Sequence, residues 1–129
     1  MNPIKANRLV FDASAVLALM QGEPGADRLM NLQPDAVVNA VNAAEVLAKL
    51  VSRGVPAAEA QAAYDALHLE TTAFDPAMVA ISARYAQKGV SLGDRCFLAA
   101  VHRHGPGWTS DRDLGALWGS GVAPLNFFR

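Results

Sequence analysis

The chain has one cysteine, almost no excess of charge, no apolar run of membrane-spanning length and no internal repeat. With Cys96 alone, neither an internal disulfide nor a cysteine-based zinc site can form. Set inside an apolar stretch, Cys96 reads as a small core residue. Eleven basic against twelve acidic residues leave a formal net charge of -1. No global field therefore draws the chain to nucleic acid or to an anionic membrane. Any nucleic-acid binding must come from a local patch or through metal ions. The start, MNPIKANRLVFDAS, carries Lys5 and Arg8 but nothing apolar enough for a signal peptide or a membrane span, so a cytoplasmic location is expected. Linkers and low-complexity segments are also missing, which leaves one domain over residues 1–129 as the expectation.

Apolar material is plentiful. Hydrophobic residues make up 52% of the 129, which argues against disorder. A chain of this length buries about two thirds of its extended surface, enough for a core.

Short β-rich runs alternate with helical patterns. RLVF (Arg8 to Phe11) and AVVN (Ala36 to Asn39) read as buried strands. ASAVLALM and ADRLMNL read as helices separated by QGEPG, the second ending before Pro34. Asn42 is expected to open a helix whose stripe is Ala43, Val46, Leu47, Leu50 and Val51, ended by Gly54. Pro56 starts a helix to about Leu69, and ETTAF alternates like an edge strand. Asp75-Pro76 has the N-cap plus N1 pattern for a helix through Lys88, closed by Gly89. The Ser91 helix stops at GPG, and WTS, RDLGALW and VAPLNF follow as strand, helix and strand. The expected fold is α/β, a central, mainly parallel five-stranded sheet flanked by helices on both faces.

The helix SLGDRCFLAAV carries an acid, Asp94, on the face of Phe97, Leu98 and Val101. Three more acids stand at similar junctions. Asp12 follows the first strand, Glu45 comes three residues after Asn42 behind the second, and Asp111 follows WTS. Singly, each has a capping explanation: Asp12 and Asp111 as N-caps, Asn42-x-x-Glu45 and Ser91-x-x-Asp94 as capping boxes. Glu45 is the weakest functional candidate by periodicity, because it lies opposite the apolar stripe with Lys49, Ser52 and Arg53. Together they mean more. In a parallel sheet, strand ends and helix starts converge on one edge. Four carboxylates there repel one another, and the usual remedy is a hard divalent cation, Mg²⁺ or Mn²⁺. Asp12 and Asp94 are the expected direct ligands, with Glu45 and Asp111 completing the site.

Ser14, Thr109 and Ser110 stand beside these acids as hydroxyls that could orient them, and Asp113 is a second acid near Asp111. Lys49, Arg53, Arg95, Arg103 and Arg112 are candidates for phosphate contacts, although a solvated surface role is commoner for each. His102 and His104 lie a helix length from Asp94 and are read as structural.

LVFDASAVLAL, VNAAEVLAKL, SLGDRCFLAAV and WTSDRDL stand in the order and approximate spacing of PIN-domain ribonucleases. Over essentially the whole chain the sequence resembles that family, and within it the VapC-type toxins of bacterial toxin–antitoxin pairs. The resemblance implies an acidic quartet at Asp12, Glu45, Asp94 and Asp111, and Mg²⁺- or Mn²⁺-dependent endonucleolytic cleavage of RNA. It also implies a homodimer and a VapB-type antitoxin whose C-terminal segment covers the acidic mouth. Leu114 departs from the phenylalanine common there, and QGEPGADRL is peculiar to this chain. A haloacid-dehalogenase-type phosphatase would carry a second Asp where Ser14 stands. A receiver domain would carry adjacent early acids and a late lysine. The remaining alternative is a catalytically silent PIN-like module that only binds a partner.

Overall fold

The computed structural model describes residues 8–118 and 123–129. Its five strands are β1 (Leu9–Phe11), β2 (Ala36–Asn39), β3 (Glu70–Thr72), β4 (Gly107–Thr109) and β5 (Leu125–Phe127). They lie in the order β3-β2-β1-β4-β5, and every neighbouring pair is parallel. The ETTAF segment is an edge strand, as its mixed pattern implied. Parallel strands need crossovers. Seven helices supply them or flank them: α1 (Ala13–Gln21), α2 (Ala26–Leu32), α3 (Ala40–Ser52), α4 (Ala57–Asp65), α5 (Pro76–Ala83), α6 (Leu92–His104) and α7 (Asp113–Trp118).

The sheet separates two cores. Phe11, Ala36, Val38 and Trp108 pack with α1, α3 and α4 on one face. Val10 and Val37 point to the other face, against Phe97, Leu98 and Val101 of α6, Met78 of α5 and Leu114 of α7. Alternation along β1 and β2 thus divides the strand side chains between two layers. Six consecutive residues of α6, Cys96 to Val101, are fully buried. The single apolar face expected for this helix is too narrow: sheet and neighbouring helices enclose it nearly all round. At Gly107 a Cβ would meet Val101 and Phe97, so the missing side chain lets α6 sit directly on β4.

Four boundaries differ from the sequence reading by three residues or more, while β3 stops at Thr72 and β4 is Gly107–Thr109 rather than WTS. Asn39, not Asn42, caps α3: its side chain accepts from the N–H groups of Val41 and Asn42. α4 ends at Asp65, short of Leu69, and the chain turns through His68 at φ 53°. α5 ends at Ala83 rather than Lys88. Its last turn tightens to i−3 bonds, and Tyr85 stacks on Trp118 with ring centroids 5.4 Å apart. β5 begins at Leu125, and Val122, where the last strand was expected to start, lies outside the described residues. The Asp75 and Ser91 caps are found as read. Among the described residues no helix is long and apolar enough to cross a membrane.

Candidate active site

β1 runs on through α1 and α2 to β2 on one side, whereas β4 returns to its other side. The crevice at the carboxyl ends of β1 and β4 is therefore the switch point where such sheets bind ligands. Asp12 stands there, directly after β1, and caps α1. Its Oδ1 accepts from Ala15 N at 2.9 Å and from Ser14 Oγ at 2.6 Å, and its Oδ2 accepts from Thr109 Oγ1 at 2.5 Å. Both hydroxyls accept in turn from the loop after β4. Ser110 N donates to Ser14 Oγ at 3.1 Å and Asp111 N to Thr109 Oγ1 at 3.0 Å. With those oxygens occupied, each hydroxyl hydrogen is directed at Asp12. This network ties β1 to the loop after β4 and suits a charged carboxylate. Burial opposes it: desolvation pushes the Asp12 carboxyl from 3.8 up to about 6, with Ser14, Thr109 and Ala15 pulling it down and the charge of Asp94 adding a smaller push upward.

Thr109→Val removes one charge-assisted hydrogen bond and leaves the Asp111 N–H without its acceptor. Thermal denaturation should show a loss of about 2 kcal/mol or more, with Thr109→Ser close to wild type. A Thr109→Val protein as stable as wild type would remove this network from the account.

The other acids reach the same edge by different routes. α6 is antiparallel to the strands, so its start lies at their carboxyl ends. There Ser91 and Asp94 form the expected capping box: Asp94 N donates to Ser91 Oγ at 3.1 Å and Ser91 N to Asp94 Oδ2 at 3.3 Å. Glu45 makes no capping box. It is half-buried against the start of α6, with Oε1 accepting from Asn42 Nδ2 at 2.7 Å. The side of α3 read as solvent-facing is therefore partly an interface with α6. Asp111 accepts from Asp113 N at 3.0 Å through Oδ1.

Asp12, Glu45, Asp94 and Asp111 all line one cavity of ≈ 220 Å³, with Ser14, Asn42, Lys49, Ser91 and Gly93. Asp113 lies outside it. A second cavity of ≈ 390 Å³ shares the Asp111 wall and is lined by Asp113, Lys88 and Gln87. Thr109 and Ser110 act from beneath, the first through its hydroxyl and the second through its backbone. Of the basic candidates only Lys49 lines the acidic cavity. Arg53 bonds Gln21, Arg95 is half-buried, and Arg112 lies over the Phe127 ring at 5.2 Å. Arg103 grips Asp75 at 2.6 and 3.2 Å, which removes it from the phosphate-binding candidates. His104 is partly buried near Arg8 and Arg103, with burial the main cause of its lowered pKa.

An all-oxygen set of carboxylates around one small cavity suits a hard divalent cation. As the side chains stand, no three His, Cys, Asp or Glu groups among the described residues are gathered tightly enough to hold one ion. Each of the four acids is engaged by a protein hydrogen bond. A cation that keeps much of its water, as Mg²⁺ does, fits this looser ring better than a fully dehydrated ion.

Sequence reasoning missed Asn39, Asn42 and Gly93 as parts of the site. Asn39 and Asn42 are 0% and 1% exposed, which is unusual for asparagine. The available signal was two asparagines at three-residue spacing ahead of an acid.

Fold and cavity define a parallel α/β protein with an acidic cleft at its switch point. The chain belongs to the PIN domain family, whose sequence profile matches residues 9–115. No curated protein sequence matches it. Among solved structures it is similar to VapBC2 from Rickettsia felis, bound to a DNA fragment from the promoter of that pair. The TM-score is 0.70 at 13% identity, over 92% of this chain and 97% of that one. It is also similar to PAE2754 from Pyrobaculum aerophilum, with a TM-score of 0.59 at 18% identity over 95% and 92%. At these identities the likeness concerns the fold.

Proposed function

We propose that this protein is a cytoplasmic, divalent-metal-dependent endoribonuclease acting as the toxin of a VapBC-type toxin–antitoxin pair. The observation that carries the reading is the meeting of Asp12, Glu45, Asp94 and Asp111 on one cavity at the switch point. PIN domains are typically nucleases and generally use divalent metals, which agrees with it. When bound, one or two Mg²⁺ or Mn²⁺ ions would neutralise charge at the scissile phosphate and lower the pKa of an attacking water. Asp12 and Asp94 would hold the metal, with Glu45 and Asp111 completing the ring directly or through water. Ser14 and Thr109 keep Asp12 charged and fixed in orientation. Lys49 would meet an RNA phosphate at the rim. No side chain serves as a covalent nucleophile. The fold likeness to VapBC2 supports a VapB-type antitoxin as partner. Its seat over the acidic mouth and a homodimeric protein are proposed from the sequence resemblance alone.

Purified protein incubated with RNA should cleave it internally with Mg²⁺ or Mn²⁺ and stop when EDTA is added. Cleavage that persists in EDTA would overturn the metal requirement. A folded protein that cleaves no RNA with either ion would be the silent interaction module. A small antitoxin-like reading frame beside this one would support the biological role.

A further inference from the structure

Glu45 sits in a seat made by residues that the acidic quartet does not include. Asn39 caps α3 through Oδ1, which accepts from Val41 N at 2.9 Å and Asn42 N at 3.1 Å. That fixes which way its amide faces, and Nδ2 is left to donate to Asn42 Oδ1. With its oxygen so occupied, the Asn42 amide cannot flip. Its two N–H bonds go to Gly93 O at 3.0 Å and to Glu45 Oε1 at 2.7 Å. The orientation of Glu45 is thus inherited, amide by amide, from the N-cap of α3. Both asparagines are buried, where a half-satisfied amide is expensive, so the ladder has only one low-energy arrangement.

Gly93 supplies the space. It is a buried residue in the first turn of α6, and the three atoms nearest a Cβ there would be Oε1, Oε2 and Cδ of Glu45, all close enough to overlap it. Its φ is ordinary, so the backbone does not require glycine. A helix interior favours alanine over glycine. The side chain missing from α6 is missing where the Glu45 carboxyl needs room.

We propose that Asn42 and Gly93 are positioning residues that seat Glu45 at the acidic cavity, Asn42 by donating to Oε1 and Gly93 by leaving room beside α6. Oε1 is then held by Asn42, Oε2 has no hydrogen-bond partner among the described residues, and Glu45 lines the shared cavity. This inference rests on the metal-dependent reading above.

The test uses the full chain and Mn²⁺ alone as the probe, with calorimetric titration, melting temperature and RNA cleavage as readouts. Gly93→Ala should melt at or above the wild-type temperature yet bind Mn²⁺ on the order of 10- to 100-fold more weakly, the usual effect of disturbing what orients a ligand. Asn42→Leu, of similar size but without donors, should weaken Mn²⁺ similarly, and it is expected to melt lower because Gly93 O and Asn39 Nδ2 lose a partner. In cleavage, both should lower kcat more than they raise KM for RNA. The decisive comparison is in a Glu45→Gln background, where neither change should alter Mn²⁺ affinity further, since each acts through Glu45. An unchanged Mn²⁺ affinity in Gly93→Ala overturns the proposal, even if Asn42→Leu does not fold. A full additional loss in the Glu45→Gln background overturns it too, by showing that α6 or Asp94 has moved instead. A wild-type protein that binds no Mn²⁺ and cleaves no RNA would remove the underlying reading, a different failure.

Discussion

Asp94→Asn is expected to lower metal-dependent RNA cleavage on the order of 10³-fold while the protein keeps its fold. The capping box explains why the fold survives. Asparagine retains a side-chain oxygen to accept from Ser91 N, and Asp94 N still donates to Ser91 Oγ. What disappears is one of four negative charges on the cavity. Charge stabilisation by a bound ion is worth several kcal/mol, and each 1.4 kcal/mol is about tenfold in rate. Asp75 is the natural control. It also caps a helix, accepting from Met78 N at 3.1 Å, but it faces Arg103, whose hydrogen bonds hold its carboxyl below the ordinary range. Asp75→Asn should leave cleavage within about twofold of wild type, a shift of only about 0.4 kcal/mol in barrier. Cleavage assays at saturating Mn²⁺, with circular dichroism to verify folding, compare the two. Equal activity in Asp94→Asn and Asp75→Asn would mean that Asp94 is only a cap.

That contrast bears on what the sequence could tell. Capping is local chemistry, and local chemistry is legible: Asp75-Pro76, Ser91-x-x-Asp94 and the glycine after α1 all behave as their residue types require. Strands were legible because Leu9–Phe11 and Ala36–Asn39 are buried between two layers and so are nearly all apolar. The start of α3 was misplaced because both Asn39 and Asn42 are good caps. Only the tertiary structure decides, by giving Asn39 the strand end and Asn42 a partner on α6. Glu45 looked solvent-facing because the apolar stripe of α3 reports only the contact with apolar neighbours. A polar interface between α3 and α6 leaves no hydrophobic period. The role of Gly93 was invisible for a related reason: absent atoms matter only beside the residue that fills their place, and Glu45 is 48 positions away in sequence.

Without metal, Asp12→Asn should be more stable than wild type at pH 7, by about 1 to 2 kcal/mol. The carboxyl of Asp12 is raised from 3.8 to about 6, with desolvation the largest cause. An acid with a raised folded-state pKa favours folding fully below its unfolded value, and that contribution is lost as pH climbs through the folded value. Here the loss runs from about pH 4 to above pH 6 and reaches about 3 kcal/mol, near 1.4 kcal/mol per unit. Asparagine cannot ionise and avoids it. Oδ1 can still accept from Ala15 N and Ser14 Oγ, but Nδ2 in place of Oδ2 would donate to Thr109 Oγ1, which already accepts from Asp111 N. The Thr109 hydroxyl hydrogen is then stranded, a cost of about 1 to 2 kcal/mol. The gain therefore outweighs the loss at pH 7. At pH 4, where the wild-type carboxyl is largely protonated, the advantage should vanish. Saturating Mn²⁺ should reverse the order at pH 7, because only a wild-type carboxylate gains from binding, by RT ln(1 + [L]/Kd). Denaturant titrations of both proteins at pH 4 and pH 7 in EDTA, and again in Mn²⁺, read all of these differences. Lower stability of Asp12→Asn at pH 7 in EDTA would make Asp12 a helix cap that the fold needs charged, rather than an acid held under strain for an ion.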